Sequence, residues 1–142
     1  MREAITRAVL AVSGVILGFV GGALMMVPRT FLGLSQVYID PDPSLMSELA
    51  APSGILLLTS GFMILGAVRL RFANPSLLIG ALVYGSYGFG RLVSMGLNGM
   101  PSESLIIATA IELGIAVLLA AIQVTTLYSK KPNLAEWQKL IA

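Results

Sequence analysis

Four long apolar segments dominate the pattern of hydrophobic and polar positions along the chain. Polar or proline-rich stretches separate these segments, which lie near residues 5–27, 47–69, 75–97 and 103–128. A helix needs about 20 apolar residues to cross a hydrocarbon core of about 30 Å, because each residue rises about 1.5 Å. The pattern therefore predicts an all-α protein, an integral membrane four-helix bundle.

The composition supports a membrane protein of one domain, residues 1–142. Hydrophobic residues make up 56% of the chain and charged residues only 11%, and the mean hydropathy is +0.89. A soluble domain could not cover so much apolar surface, whereas a bilayer removes that need. The formal charge of +2 gives no indication of nucleic-acid binding, so membrane lipids are the expected partners.

The absence of cysteine and histidine restricts the chemistry available to a site. It excludes disulfides, zinc sites, iron–sulfur clusters and the Ser-His and Cys-His dyads. Asp40 and Asp42 alone fall far short of a calcium shell. No metal and no cofactor is expected, and a site would have to use carboxylate, guanidinium, hydroxyl, amide or phenol groups.

The first apolar segment follows Arg2 and Arg7 but is too long for a signal peptide, so we expect it to be retained. Gly14, Gly18 and Gly22 recur every fourth residue and share one helix face. Such a face lets another helix approach closely. We favour packing within the bundle, with a dimer interface as the alternative.

Basic residues predict the orientation, because lysine and arginine concentrate on the cytoplasmic side. Most of them lie at the amino end, around the second connection, or in the tail: Arg2, Arg7, Arg69, Arg71, Lys130, Lys131 and Lys139. Both termini are therefore expected in the cytoplasm, and the protein in a bacterial inner membrane. The tail, residues 133–142, is predicted to form a short interfacial helix anchored by Trp137.

Three ionisable residues of the apolar segments cannot be assigned comfortably to water: Glu48, Arg91 and Glu112. Counted along their helices, Arg91 and Glu48 lie roughly 9 Å and 6 Å below the outer boundary, and Glu112 roughly 13 Å below it. A charge at such depth normally faces protein and finds a partner. We therefore predict a cluster in which Arg91 bridges Glu48 and Glu112.

Polar residues continue along the helix face that carries Arg91. Tyr84, Tyr87, Ser94 and Asn98 lie at intervals of three, four or seven residues from Arg91 and share its side of the helix. Three glycines in the same segment would let neighbours or a ligand approach: Gly85, Gly88 and Gly90. Together these residues predict a ligand-binding pocket in the outer half of the bilayer, although a purely structural network is the alternative.

The motifs "SELAAPSG" from Ser47, "GRLVSMGLNGMPS" from Gly90 and "IELG" around Glu112 resemble a family of small four-span bacterial membrane proteins, a domain of unknown function. The resemblance runs through nearly the whole chain. It implies a four-helix membrane fold and places Glu48, Arg91, Ser94, Asn98 and Glu112 in the family's pattern. It implies no activity. Where the family has an arginine soon after the first glutamate, this chain has Ala50 and Ala51.

These features favour a binding or accessory protein that holds a lipid headgroup or a small anion at Arg91. A proton-coupled transporter with Glu112 as proton carrier is one alternative, and its four spans would require an oligomer. A lipid or isoprenoid enzyme with Glu48 or Glu112 as acid or base is another. The oligomeric state and any larger membrane complex stay open.

Overall fold

The computed structural model describes residues 2–40 and 42–129. This part of the chain contains five α-helices and one 3₁₀ turn, and no strand. In chain order they are α1 (Arg2–Met26), α2 (Pro28–Gly33), α3 (Pro43–Val68), the 3₁₀ turn (Leu70–Phe72), α4 (Ala73–Asn98) and α5 (Glu103–Ser129). The predicted interfacial helix at 133–142 lies outside the described residues.

Four of these helices, α1, α3, α4 and α5, are long and apolar enough to cross a membrane. This confirms the predicted four-helix architecture. Helix α3 begins several residues earlier than the apolar pattern indicated, because its start is set by polar chemistry. The side chain of Asp42 accepts a hydrogen bond from the backbone N–H of Leu45 at 2.9 Å, and Pro43 occupies the first helical position, where no N–H is required.

The helices pack as two pairs. Helix α1 lies against α3, α4 lies against α5, and the contact between α3 and α4 joins the pairs. The buried core consists of apolar residues from all four helices, among them Leu10, Leu17, Leu56, Met63, Leu77, Tyr84 and Leu119. Two ends of the bundle result. The amino-terminal end contains the starts of α1 and α4, and the opposite end contains the starts of α3 and α5.

Hydroxyl groups connect the helices at buried positions. Ser60 on α3 donates to the carbonyl of Gly14 on α1 at 2.7 Å, and Ser76 on α4 donates to the carbonyl of Phe62 on α3 at 2.8 Å. Each hydroxyl group thus makes its hydrogen bond to a protein carbonyl rather than to water, as the interior of a membrane protein requires.

Glycines of α1 allow its close approach to α3. A Cβ atom added at Gly14 would meet Met63 and Ile64 at 3.1–3.3 Å, and one added at Gly18 would meet the hydroxyl of Ser60 at 2.6 Å. The predicted packing within the bundle is therefore confirmed for these two positions. Gly22 is different, since no atom lies within 4 Å of its added Cβ, and Gly21 takes its place against Leu56 and Leu57. A helix has 3.6 rather than 4 residues per turn, so the contact moves back by one residue.

The outer surface of the bundle is apolar. Large hydrophobic side chains of all four long helices are exposed, including Val12, Phe19, Leu58, Leu82, Phe89, Ile107 and Val117. Lipid chains are the solvent that suits such a surface. The same four helices thus bury a small core and present the remaining apolar residues to the bilayer.

Candidate functional site

Arg91 and Glu112 form an ion pair between α4 and α5. The Nε atom of Arg91 donates to Oε2 of Glu112 at 3.0 Å. Arg91 lies seven residues before the end of α4, and Glu112 lies nine residues after the start of α5. The antiparallel helices α4 and α5 therefore bring the two charges together at similar depth, as predicted for this pair.

The two side chains differ in exposure, since that of Arg91 is 33% exposed and that of Glu112 is 17% exposed. Glu112 receives one N–H of a guanidinium that has five. The terminal nitrogens of Arg91 have no hydrogen-bond partner among the residues that the structure describes. The pair thus neutralises the carboxylate and leaves guanidinium donors available.

Arg91 lines two adjoining cavities. A shallow one of about 440 Å³ lies between Ser86, Tyr87, Gly90, Arg91 and Ser94. A smaller one of about 110 Å³ lies toward the connection between α4 and α5, where it is lined by Arg91, Ser94, Met95, Gly99, Pro101 and Leu105. The guanidinium therefore lies between a shallow groove on the surface of α4 and a recess beside the connection.

Polar side chains accompany Arg91 along this face of α4. Ser94 lines both cavities, and its Oγ accepts a hydrogen bond from Nδ2 of Asn98 at 3.3 Å. Tyr87 lines the larger cavity, and its hydroxyl has no hydrogen-bond partner in residues 2–40 and 42–129. Asn98 is exposed at the end of the helix. These groups can donate to or accept from a polar ligand at Arg91.

Glu48 does not join this cluster. Its side chain is exposed, and the described residues contain no ion pair between Glu48 and Arg91 within 4.0 Å. Helix α3 makes extensive contact with α1 and α4 but not with α5. Glu48 on α3 and Glu112 on α5 therefore do not meet at Arg91. The predicted bridge between Glu48 and Glu112 is corrected to a single pair.

Tyr84 belongs to the core rather than to the cavities. Its side chain is 3% exposed, and its hydroxyl donates to the carbonyl of Ser13 on α1 at 2.6 Å. Because α4 contacts α1 and α3 as well as α5, residues on one helix face reach different neighbours. Tyr84 therefore joins α4 to α1, and it does not line the cavities at Arg91.

The three glycines predicted to open α4 have separate roles. An added Cβ at Gly88 would meet the side chain of Leu113 at 2.7 Å, and one at Gly85 would meet Ala116 at 3.7 Å. Gly88 therefore allows α5 to approach, which places Glu112 next to Arg91. Gly90 has no atom within 4 Å of its added Cβ and lines the larger cavity.

Sequence reasoning missed the contribution of the connection between α4 and α5. Gly99 has φ 91° and ψ 178°, a conformation open essentially to glycine alone. This residue turns the chain so that Pro101 and Leu105 cover the smaller cavity. Ser102 then donates to the carbonyl of Ser35 at 2.8 Å, which attaches the connection to the segment after α2. The signal was present in "NGMPS", where a turn glycine precedes a proline.

The family model of a domain of unknown function, DUF4345, matches residues 5–123, and the chain belongs to this family. The matched region includes all of α3 and α4 and both members of the Arg91–Glu112 pair. No curated protein and no solved structure matches the chain significantly. The comparisons thus place the chain in a family of unknown function and assign it no activity, while the structure of this chain contains four helices long and apolar enough to cross a membrane.

Proposed function

We propose that this protein is a membrane binding or accessory protein that holds a phosphate or carboxylate group, from a lipid headgroup or a small anion, at Arg91. The observation that carries the proposal is the unused donor capacity of this guanidinium at the boundary of two cavities. A planar guanidinium binds phosphate or carboxylate through two parallel hydrogen bonds. Ser94 and Tyr87 supply neutral donors beside it.

Glu112 would set the strength of this site. Its carboxylate already occupies Nε of Arg91, so the pair is close to neutral and an added anion is held by the remaining donors. Such a site favours moderate, reversible binding. A phosphate attached to a lipid suits it, because the larger cavity is open at the surface of α4 and the same helix exposes apolar side chains such as Phe89.

Binding can be tested by native mass spectrometry of the purified protein with phosphatidylglycerol, and by competition with inorganic phosphate. We expect Arg91→Met to weaken lipid binding about tenfold, because a charge-assisted pair of hydrogen bonds is lost. Glu112→Gln should strengthen binding, since the competing carboxylate disappears. Release of the lipid by millimolar phosphate would identify the free anion as the preferred ligand.

Arg29→Met is the matched control for that experiment. Arg29 is exposed at the same end of the bundle and lines neither cavity of Arg91. We expect its loss to leave binding nearly unchanged. Equal weakening by the two arginine variants would show that the lipid responds to general charge, and the proposed site would then be rejected.

We also propose the orientation with both termini in the cytoplasm of a bacterium, which would place Arg91 toward the outer leaflet. The support is the charge distribution. Arg2, Arg7, Arg69 and Arg71 lie at the amino-terminal end of the bundle, whereas the opposite end has Asp40, Asp42 and Glu103 with only Arg29 among the described residues. Arginine concentrates on the cytoplasmic side.

Cysteine labelling tests this orientation without a background, because the chain contains no cysteine. Met100 lies in the connection between α4 and α5 and is 80% exposed, and Ala4 is exposed at the start of α1. In intact cells we expect a membrane-impermeant maleimide to label Met100→Cys and to leave Ala4→Cys unlabelled until the membrane is opened. The reverse pattern would place Arg91 in the inner leaflet.

A further inference from the structure

A second cavity with basic residues lies at the amino-terminal end of the bundle, far along the helices from Arg91. Its volume is about 490 Å³, within the range of about 300–1,000 Å³ that is usual for ligand pockets. The start of α1, the 3₁₀ turn with the start of α4, and the end of α5 enclose it. Seven polar residues of these elements line it: Arg2, Glu3, Thr6, Arg71, Asn74, Thr125 and Thr126.

Two guanidinium groups give this cavity an excess of positive charge. Arg2 and Arg71 line it together with one carboxylate, that of Glu3. No ion pair within 4.0 Å joins Glu3 to either arginine in the described part of the chain. The cavity thus contains two cations whose charge is not neutralised by direct pairing, in contrast to Arg91.

The guanidinium of Arg71 lies over an aromatic ring. Its guanidinium carbon lies 4.5 Å from the centroid of the Phe72 ring. Stacking on a ring restricts the guanidinium plane and leaves its N–H edge available for hydrogen bonds. The half-buried amide of Asn74 makes no hydrogen bond with another residue that the structure describes. Together, Arg71 and Asn74 offer N–H donors to the cavity.

The cavity also has apolar walls. Ile5, Leu70 and Ile122 line it beside the polar residues, and Ile5 continues onto the exposed apolar surface of α1. A free anion needs only the donors, whereas a lipid needs donors next to a surface for its acyl chains. The combination of both surfaces at the end of three membrane helices favours the lipid. Basic pockets between transmembrane helices bind phosphate-bearing headgroups in this way.

We propose that this cavity binds the phosphate of an anionic phospholipid from the leaflet at the amino-terminal end of the bundle. Arg71 and Arg2 hold the phosphate oxygens, and Asn74 donates an additional hydrogen bond. The carboxylate of Glu3 accepts from the hydroxyl groups of a glycerol headgroup. Lipid binding at this cavity does not depend on the function proposed for Arg91.

The test compares two double variants that remove the same charge from the same end. Arg2→Gln with Arg71→Gln removes both arginines of the cavity. Arg7→Gln with Arg69→Gln removes two exposed arginines that do not line it. Native mass spectrometry and thermal unfolding would be measured in detergent with phosphatidylglycerol, phosphatidylcholine or inorganic phosphate.

We expect the cavity variant to bind phosphatidylglycerol about tenfold more weakly than the wild type, and the control variant to change binding less than about threefold. The same difference is expected when Arg91→Met and Glu112→Gln are also present, which separates this site from the one at Arg91. All substituted arginines of the two pairs are exposed, and circular dichroism would verify that each variant is folded.

Three outcomes would overturn the proposal. Equal weakening in both double variants would show that only the general charge of this end attracts the lipid. Unchanged binding in the cavity variant would remove the site. Displacement of phosphatidylglycerol by an equal concentration of inorganic phosphate would show that the cavity holds the free anion and that its apolar wall contributes nothing.

Discussion

Gly21→Val is expected to lower the free energy of unfolding by about 1–3 kcal/mol, the usual range for overpacking of a tight interior. An added Cβ at this position would lie 2.9 Å from Cβ of Leu56 and 3.2 Å from the backbone nitrogen of Leu57. These atoms cannot turn away as the end of a flexible side chain would. The valine must therefore displace α3 from α1, which is the most extensive helix contact in the bundle.

Gly22→Val is the matched control, because it adds the same side chain one residue later in the same helix. No atom lies within 4 Å of the added Cβ there, so we expect a change below about 0.5 kcal/mol, typical of a site away from packed features. Both variants would be unfolded thermally in detergent and followed by circular dichroism. Similar losses at the two positions would contradict the packing of α1 on α3 through Gly21.

Arg91 and Glu112 are expected to show strong coupling in a double-mutant cycle. Arg91→Met leaves a carboxylate without its partner, and Glu112→Leu leaves a guanidinium without its partner. Each single change should cost about 1–3 kcal/mol, less than for a fully buried pair because Arg91 is one-third exposed. The double variant should be more stable than either single variant, since it leaves no unpaired charge.

Glu48→Leu provides the control for this cycle. Glu48 is exposed and lies outside the pair, so we expect its replacement to be nearly neutral and to add independently to that of Arg91. A coupling energy between Arg91 and Glu112 below about 0.5 kcal/mol would contradict the pair, since residues in contact normally couple by more. Coupling between Arg91 and Glu48 would instead restore the bridge predicted from depth.

The cycle also separates stability from ligand binding. A pair that only fixes the contact between α4 and α5 can be replaced by apolar residues with little loss. A binding site cannot be replaced in this way, because the apolar residues remove the hydrogen-bond donors that hold the ligand. A double variant that folds well but retains less phosphatidylglycerol than the wild type would therefore support the function proposed for Arg91, whereas an unchanged lipid content would assign the pair to structure alone.

The depth of each charged residue along its helix was predictable from the sequence, but the neighbouring helix that its side chain faces was not. Counting residues from the helix ends placed Arg91 and Glu112 at similar depth, and the structure pairs them. The same count placed Glu48 near them, yet it is exposed on α3. Depth follows from a fixed rise per residue. Direction depends on the rotation of each helix and on which helices are neighbours, and these are set by side-chain packing.

Tyr84 and Gly22 illustrate the same limit within a single helix. Residues at intervals of three, four or seven share one side of a helix, and this rule placed Tyr84 with Arg91. In the structure, this side of α4 contacts two different helices: Tyr84 contacts α1 and Arg91 contacts α5. Gly22 follows a spacing of four residues, but the helix repeat of 3.6 turns it away from α3.

The sequence by itself determined the membrane environment, the four spans and their approximate limits, because these follow from the length and continuity of apolar segments. The tertiary structure alone decided which carboxylate pairs with Arg91, which glycines bring helices together, and that cavities lined by arginine lie toward both ends of the bundle. The physical reason is that the insertion of a helix into a bilayer depends on its total apolarity, whereas the choice of its neighbours depends on close packing and on individual hydrogen bonds.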